Sequence, residues 1–326
     1  FFFNDTATTE SDTLARLDSR SSAGAAGLGT FELSKHKSEI RGTSEEELLP
    51  PLDSLKLGEL SASQESSTDT EPRESQEESE TLSESKYFMQ AVAEFADRYN
   101  RDVTQVLEYA SKVTVNDPKN RSRIEYVQEE LSIEGIPEII AHELQKYIVG
   151  LCDVESSFNA AKKSPDGAQG PLQFMPATWK EHSADAENIL SLVAQIDAAQ
   201  SKFKQIYTHL IHTCGVELDA IKAEFFFGDN EHFQKEFLTP VIINSFNAGQ
   251  GTLANVLTWF VHRYPTQEKT KGIFNAEEVV SGYDVFFTMA AQAYKEEVNA
   301  NYRDDARAYV PKVYGATKSL ENFIKV

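Results

Sequence analysis

The stretch Pro137–Phe158, PEIIAHELQKYIVGLCDVESSF, decides the class of this chain. Leu144, Ile148, Leu151 and Phe158 recur at helical spacings and share one face. Pro137 suits a first helical turn, and Gly135-Ile136-Pro137 marks the break before it. The same periodicity continues along the chain from Tyr87, without a sustained run of period-two alternation. The spacing predicts helices over roughly 87–113, 121–133, 137–158, 176–183, 187–213, 217–226, 236–246, 250–262, 281–298 and 302–323. The expected fold class is therefore all-α.

Outside this helical region the composition changes. The chain has 326 residues and a net charge of −21, of which residues 1–86 carry −11 and residues 87–326 carry −10. Only Phe1, Phe2, Phe3 and Phe31 of the 34 aromatics lie in the first 86 residues. A segment with so little apolar area to bury cannot offset its ordering entropy. Residues 1–86 read as a disordered acidic Ser/Glu-rich segment, 87–134 as a helical segment packed on the core, and 135–326 as the main domain. Residues 1–10, FFFNDTATTE, resemble a translated sequencing adaptor and are set aside from fold reasoning. So acidic a chain offers no basic patch to track phosphates, which argues against nucleic acid as a partner. Two cysteines, Cys152 and Cys214, cannot build a disulfide framework or a four-cysteine zinc site. His142-Glu143 lacks the second histidine of a zinc motif, because position 146 is lysine. No metal and no cofactor is expected.

The chemistry collects at the end of the 137–158 helix. Glu155 lies four residues after Leu151 and three before Phe158, on the apolar stripe and near the helix C-terminus. Burial and the negative end of the helix dipole both disfavour its charged form. A carboxyl group kept protonated near neutrality suits a general acid. The bland alternative is a helix-end glutamate paired with Lys162 or Lys163. A turn-rich loop follows, Ser164-Pro165-Asp166-Gly167-Ala168-Gln169-Gly170-Pro171-Leu172-Gln173-Phe174-Met175-Pro176. Its glycines permit positive φ. Gln173 offers an amide for hydroxyl and acetamido groups. Phe174, Met175 and Trp179 offer apolar faces for sugar rings.

Together these segments resemble the lytic transglycosylases of the soluble-Slt/goose-lysozyme group. The resemblance rests on Glu155-Ser156-Ser157-Phe158-Asn159 and on the Ser164–Thr178 loop. Asn244-Ser245-Phe246-Asn247-Ala248-Gly249-Gln250-Gly251 and Tyr309-Val310-Pro311-Lys312-Val313 follow in the family's order. Gly135-Ile136-Pro137-Glu138 is similar to the subgroup of membrane-bound lytic murein transglycosylase D. The resemblance covers about 135–323 and implies a lysozyme-like helical domain that cleaves peptidoglycan between MurNAc and GlcNAc. It implies Glu155 as the single catalytic residue, acid then base, leaving 1,6-anhydro ends. It places Ser164, Gly170, Gln173, Phe174, Met175, Phe246, Asn247 and Tyr309 along the saccharide groove. Glycan strands are the implied partner, the periplasm or cell envelope the implied location, and a monomer the expected state. Membrane association through a missing N-terminus is a further expectation.

Two departures from the family pattern bear on function. Phe246 stands where the family has tyrosine, so a hydroxyl expected near the glutamate is missing. The stretch between Trp179 and Asn244 is long and acidic; a lid and a partner surface are alternatives to the favoured reading, an extra packing helix. These features motivate an alternative, a catalytically weak glycan-binding scaffold of the same fold. A lysozyme-type hydrolase is the other, differing only in whether water or the 6-hydroxyl attacks.

Overall fold

Amphipathic periodicity becomes a stack of helices in the computed structural model, which describes residues 86–100, 103–183, 188–266, 281–300 and 302–324. Helices α1 (Lys86–Asn100), α2 (Val103–Ala110), α3 (Arg123–Glu130), α4 (Glu138–Ser156) and α5 (Pro176–His182) come first. The long α6 (Leu192–Phe226) follows. A short turn α7 (Asn230–His232) and a π-helical stretch (Phe233–Leu238) run into α8 (Thr239–Ala248). Then come α9 (Gln250–Arg263), α10 (Gly282–Lys295) and α11 (Asp304–Ser319). No strand occurs among the described residues, only isolated bridges in loops. The fold class is all-α, and of the acidic segment 1–86 all but Lys86, the first residue of α1, lies outside the described residues.

Several predicted boundaries move, for local reasons. The 87–113 prediction divides into α1 and α2. The predicted helices 187–213 and 217–226 are one element, α6, starting later at Leu192, where the Ser191 hydroxyl caps the Ala194 amide. Its backbone leaves helical geometry at Cys214, just before Gly215. Helix α4 stops at Ser156 rather than 158, because Ser157 and Phe158 are both left-handed, at φ +52° and +62°. Their amides take the carbonyls of Asp153 and Cys152, which satisfies the helix end. Phe158 stays fully buried even so, and Arg123 donates to its carbonyl at 2.6 Å.

The core forms where α4, α8 and α11 meet and where α1 packs along α11. Phe88, Phe237, Phe260, Phe286, Ile140, Leu144, Ile148 and Leu151 are among its largest fully buried side chains. At full burial each contributes about 1.5–3 kcal/mol relative to exposure. Gly150 sets the crossing of α4 on α11. A β-carbon there would lie 2.1 Å from the Val313 carbonyl and 2.3 Å from Thr317 Oγ1. The bare backbone lets the two helices approach closely, which matters one turn further along. Cys152 and Cys214 are both buried free thiols.

Candidate active site

Glu155 sits in the last turn of α4, half-buried on the wall of an open groove. The close crossing at Gly150 brings Tyr309 of α11 over it, and the Tyr309 hydroxyl donates to Glu155 Oε1 at 2.5 Å. Burial pushes the Glu155 carboxyl above its ordinary range. The Tyr309 hydrogen bond and the charges of Lys202 and Lys162 act in the opposite sense without cancelling it. Burial, then the Glu155 charge, holds the Tyr309 phenol well above its ordinary value, so it remains a donor. Tyr99 of α1 is raised as well, by burial and by the charges of Asp153 and Glu155.

The loop after α4 forms the second wall. Ser164 turns it by accepting the Ala168 amide on its hydroxyl at 2.9 Å. Gly170, at φ +81°, lies against Gln195 of α6, where a β-carbon would fall 2.1 Å from Gln195 Nε2. Gln195 is fully buried and clamps the loop. It accepts from the Leu172 amide at 2.7 Å and donates to the carbonyls of Gln169 and Ile189. The Gln173 side chain donates to the carbonyls of Gly170 and Lys162 at 2.8 and 3.1 Å. Gln173 itself is in the left-handed region, at φ +49°, a conformation unusual for a residue with a β-carbon. Its amide therefore holds the loop shape as well as lining the groove.

The third wall is aromatic. Phe246 of α8 packs edge-on to Phe174 at 5.8 Å and tilted against Phe203 at 5.2 Å. Lys202 of α6 places its ammonium 3.9 Å from the centre of the Phe246 ring and donates to the Phe246 carbonyl at 2.9 Å. The groove encloses about 690 Å³ of empty space, counted out to open solvent.

Of the residues picked from sequence, Glu155, Gln173, Phe174, Met175, Phe246 and Asn247 line this groove, and Tyr309 joins it through Glu155. Ser164 and Gly170 are not among its lining residues; they shape the loop behind it. Trp179 is buried behind Phe174, edge-on at 5.9 Å, and offers no face to the groove. The acidic insertion does more than pack, because Lys202, Gln205 and Ile206 of α6 form part of the wall. Neither Lys202 nor Gln195 carries a local signal in the sequence. Both are polar residues on a helix whose solvent face looks the same in sequence. Among the described residues no group of three or more His, Cys, Asp or Glu side chains is placed to hold a metal ion.

The arrangement defines a helical protein that holds the Glu155 carboxyl, raised in proton affinity, in a groove walled in part by aromatic rings. Such a group can give a proton to a bound ligand and take one back. Residues 141–264 match the family model of the Transglycosylase SLT domain, which supports a peptidoglycan lytic transglycosylase in general. The matched span holds Glu155, the loop and Phe246, and ends before Tyr309. Neither the curated proteins nor the solved structures give a significant match.

Proposed function

We propose that this protein cleaves the β-1,4 bond between MurNAc and GlcNAc and leaves 1,6-anhydro-MurNAc ends. The observation that carries this reading is Glu155, half-buried in the groove, raised in proton affinity and bonded by Tyr309. In the first step the Glu155 carboxyl gives its proton to the glycosidic oxygen as the C1–O bond breaks. In the second, the MurNAc 6-hydroxyl attacks C1, and the Glu155 carboxylate takes the hydroxyl proton as the C1–O6 bond forms. The proton count closes, and Glu155 ends as it began. One carboxylate is enough, unlike the usual two-carboxylate scheme. The remaining task is to position the 6-hydroxyl and keep water out, which suits the aromatic wall of Phe174 and Phe246. A cell-envelope location and a likeness to the membrane-bound lytic murein transglycosylase D subgroup belong to the same reading.

The test is a digest of purified peptidoglycan read by mass spectrometry, with wild type beside Glu155→Gln. Products one water lighter than hydrolytic muropeptides, absent with the variant, are expected. Hydrated reducing ends would replace this reading with a lysozyme-type hydrolase. Bound but uncut strands with both proteins would replace it with a glycan-binding scaffold.

A further inference from the structure

Lys202 stands on the long amphipathic helix α6, next to the buried Phe203, and its ammonium is held against aromatic rings. Its ammonium lies 3.9 Å from the centre of the Phe246 ring and 5.6 Å from that of Phe174. It also donates to the Phe246 carbonyl at 2.9 Å. Among the described residues lining the groove it is the one lysine or arginine. A cation over an aromatic face is attracted by the ring quadrupole, so the ring and the carbonyl together fix where this charge sits. A residue needed only to support Phe246 would not have to be charged, and an aliphatic side chain would fill the same space.

We propose that Lys202 is a positioning residue of this site, pinning the Phe246 wall and placing a fixed positive charge in the groove that faces the carboxylate Glu155 becomes between its two proton transfers. The inference rests on the acid–base role proposed for Glu155. It also accounts for Phe246: the charge that Lys202 holds against its ring serves where a tyrosine hydroxyl is missing. The other groups that interact with Glu155 are Tyr309 of α11, Tyr99 of α1, Lys162 of the loop and Cys152 of α4, and Asp153 of α4 acts on the same Tyr99 and Cys152. Those sharing the groove with Lys202 are Glu181 and His182 of α5. Glu181 accepts from Gln205 at 2.6 Å, and the His182 ring is 3.2 Å from the Ser201 hydroxyl. Lys202 opposes the burial that raises Glu155, and does so more than Lys162 does.

The test compares the full chain as wild type, Lys202→Met, Lys202→Arg and Glu155→Gln. The Glu155 carboxyl is titrated by carbon NMR with labelled glutamate, its signal assigned by its loss in Glu155→Gln. Lys202→Met is expected to titrate at higher pH than wild type, and Lys202→Arg at the wild-type position. On purified peptidoglycan Lys202→Met should lower kcat roughly tenfold, less than removal of a directly bonded donor costs, with KM little changed. Its basic limb should move to higher pH. A Glu155 titration identical in wild type and Lys202→Met would overturn the inference, because a purely supporting role would leave it unmoved. Should the Met variant fail to fold, Lys202→Gln is read in the same way. The titration needs no substrate, so it decides the role of Lys202 even if wild type releases no anhydro products, an outcome that would sink only the proposed reaction.

Discussion

Replacing Tyr309 by Phe removes one oxygen and keeps the ring that fills the α11 side of the core. The lost interaction is the 2.5 Å bond to Glu155 Oε1. It favours the carboxylate over the acid, so its loss leaves Glu155 raised further by burial. A hydrogen bond to a charged group is worth about 1.5–3 kcal/mol net. At about 1.4 kcal/mol per tenfold, that is a factor of roughly 10–150 in kcat if the bond is realised only as the carboxylate forms. The pH dependence should shift too. If the free enzyme must carry the acid form, the basic limb of kcat/KM moves to higher pH in Tyr309→Phe. The assay is release of anhydro-muropeptides from purified peptidoglycan across a pH series, beside a thermal melt. A variant that loses activity with its pH limbs unmoved would refute the link between Tyr309 and the proton on Glu155. A variant with full activity would show that the bond does no catalytic work.

Four further outcomes follow from the same geometry. A carboxyl whose folded value is raised weakens the fold progressively as pH climbs from the ordinary carboxylate range to the raised value, because the unfolded chain ionises first. Glu155→Gln should therefore melt higher than wild type at neutral pH, with the gain vanishing below the ordinary range; a constant difference at all pH values would contradict this. Gln195→Ala leaves the Leu172 amide and the Ile189 carbonyl without the Gln195 partner, while the Gln169 carbonyl keeps the Phe174 amide. At about 1–3 kcal/mol for each group left unsatisfied, it should lower Tm by several degrees and raise KM as the loop loosens, and an unchanged Tm would count against the clamp. Gly150→Ala pushes a methyl toward the Val313 carbonyl, and should cost about 1–3 kcal/mol in a denaturant melt and reduce activity by displacing Tyr309. With a net charge of −21 facing anionic strands, activity should rise as salt is added from very low levels, and a monotonic fall would exclude that repulsion.

The sequence determined the helices, because a 3.6-residue period records which side of each segment is apolar without reference to what it meets. It marked Glu155 for the same reason, as an acid on an apolar stripe at a helix end. Tyr309, 154 residues away from Glu155, entered only through a family resemblance that could name it for the groove but not for its bond. The crossing of α4 on α11 at Gly150 decided that bond. Tertiary structure also assigned Gly170 and Ser164 to the loop's shape, turned Trp179 inward, and brought Gln195 and Lys202 from a long acidic insertion to the site. A polar side chain on an amphipathic helix carries no local sign of whether water or a buried partner awaits it. That depends on how two distant helices pack, and packing is a property of the whole chain.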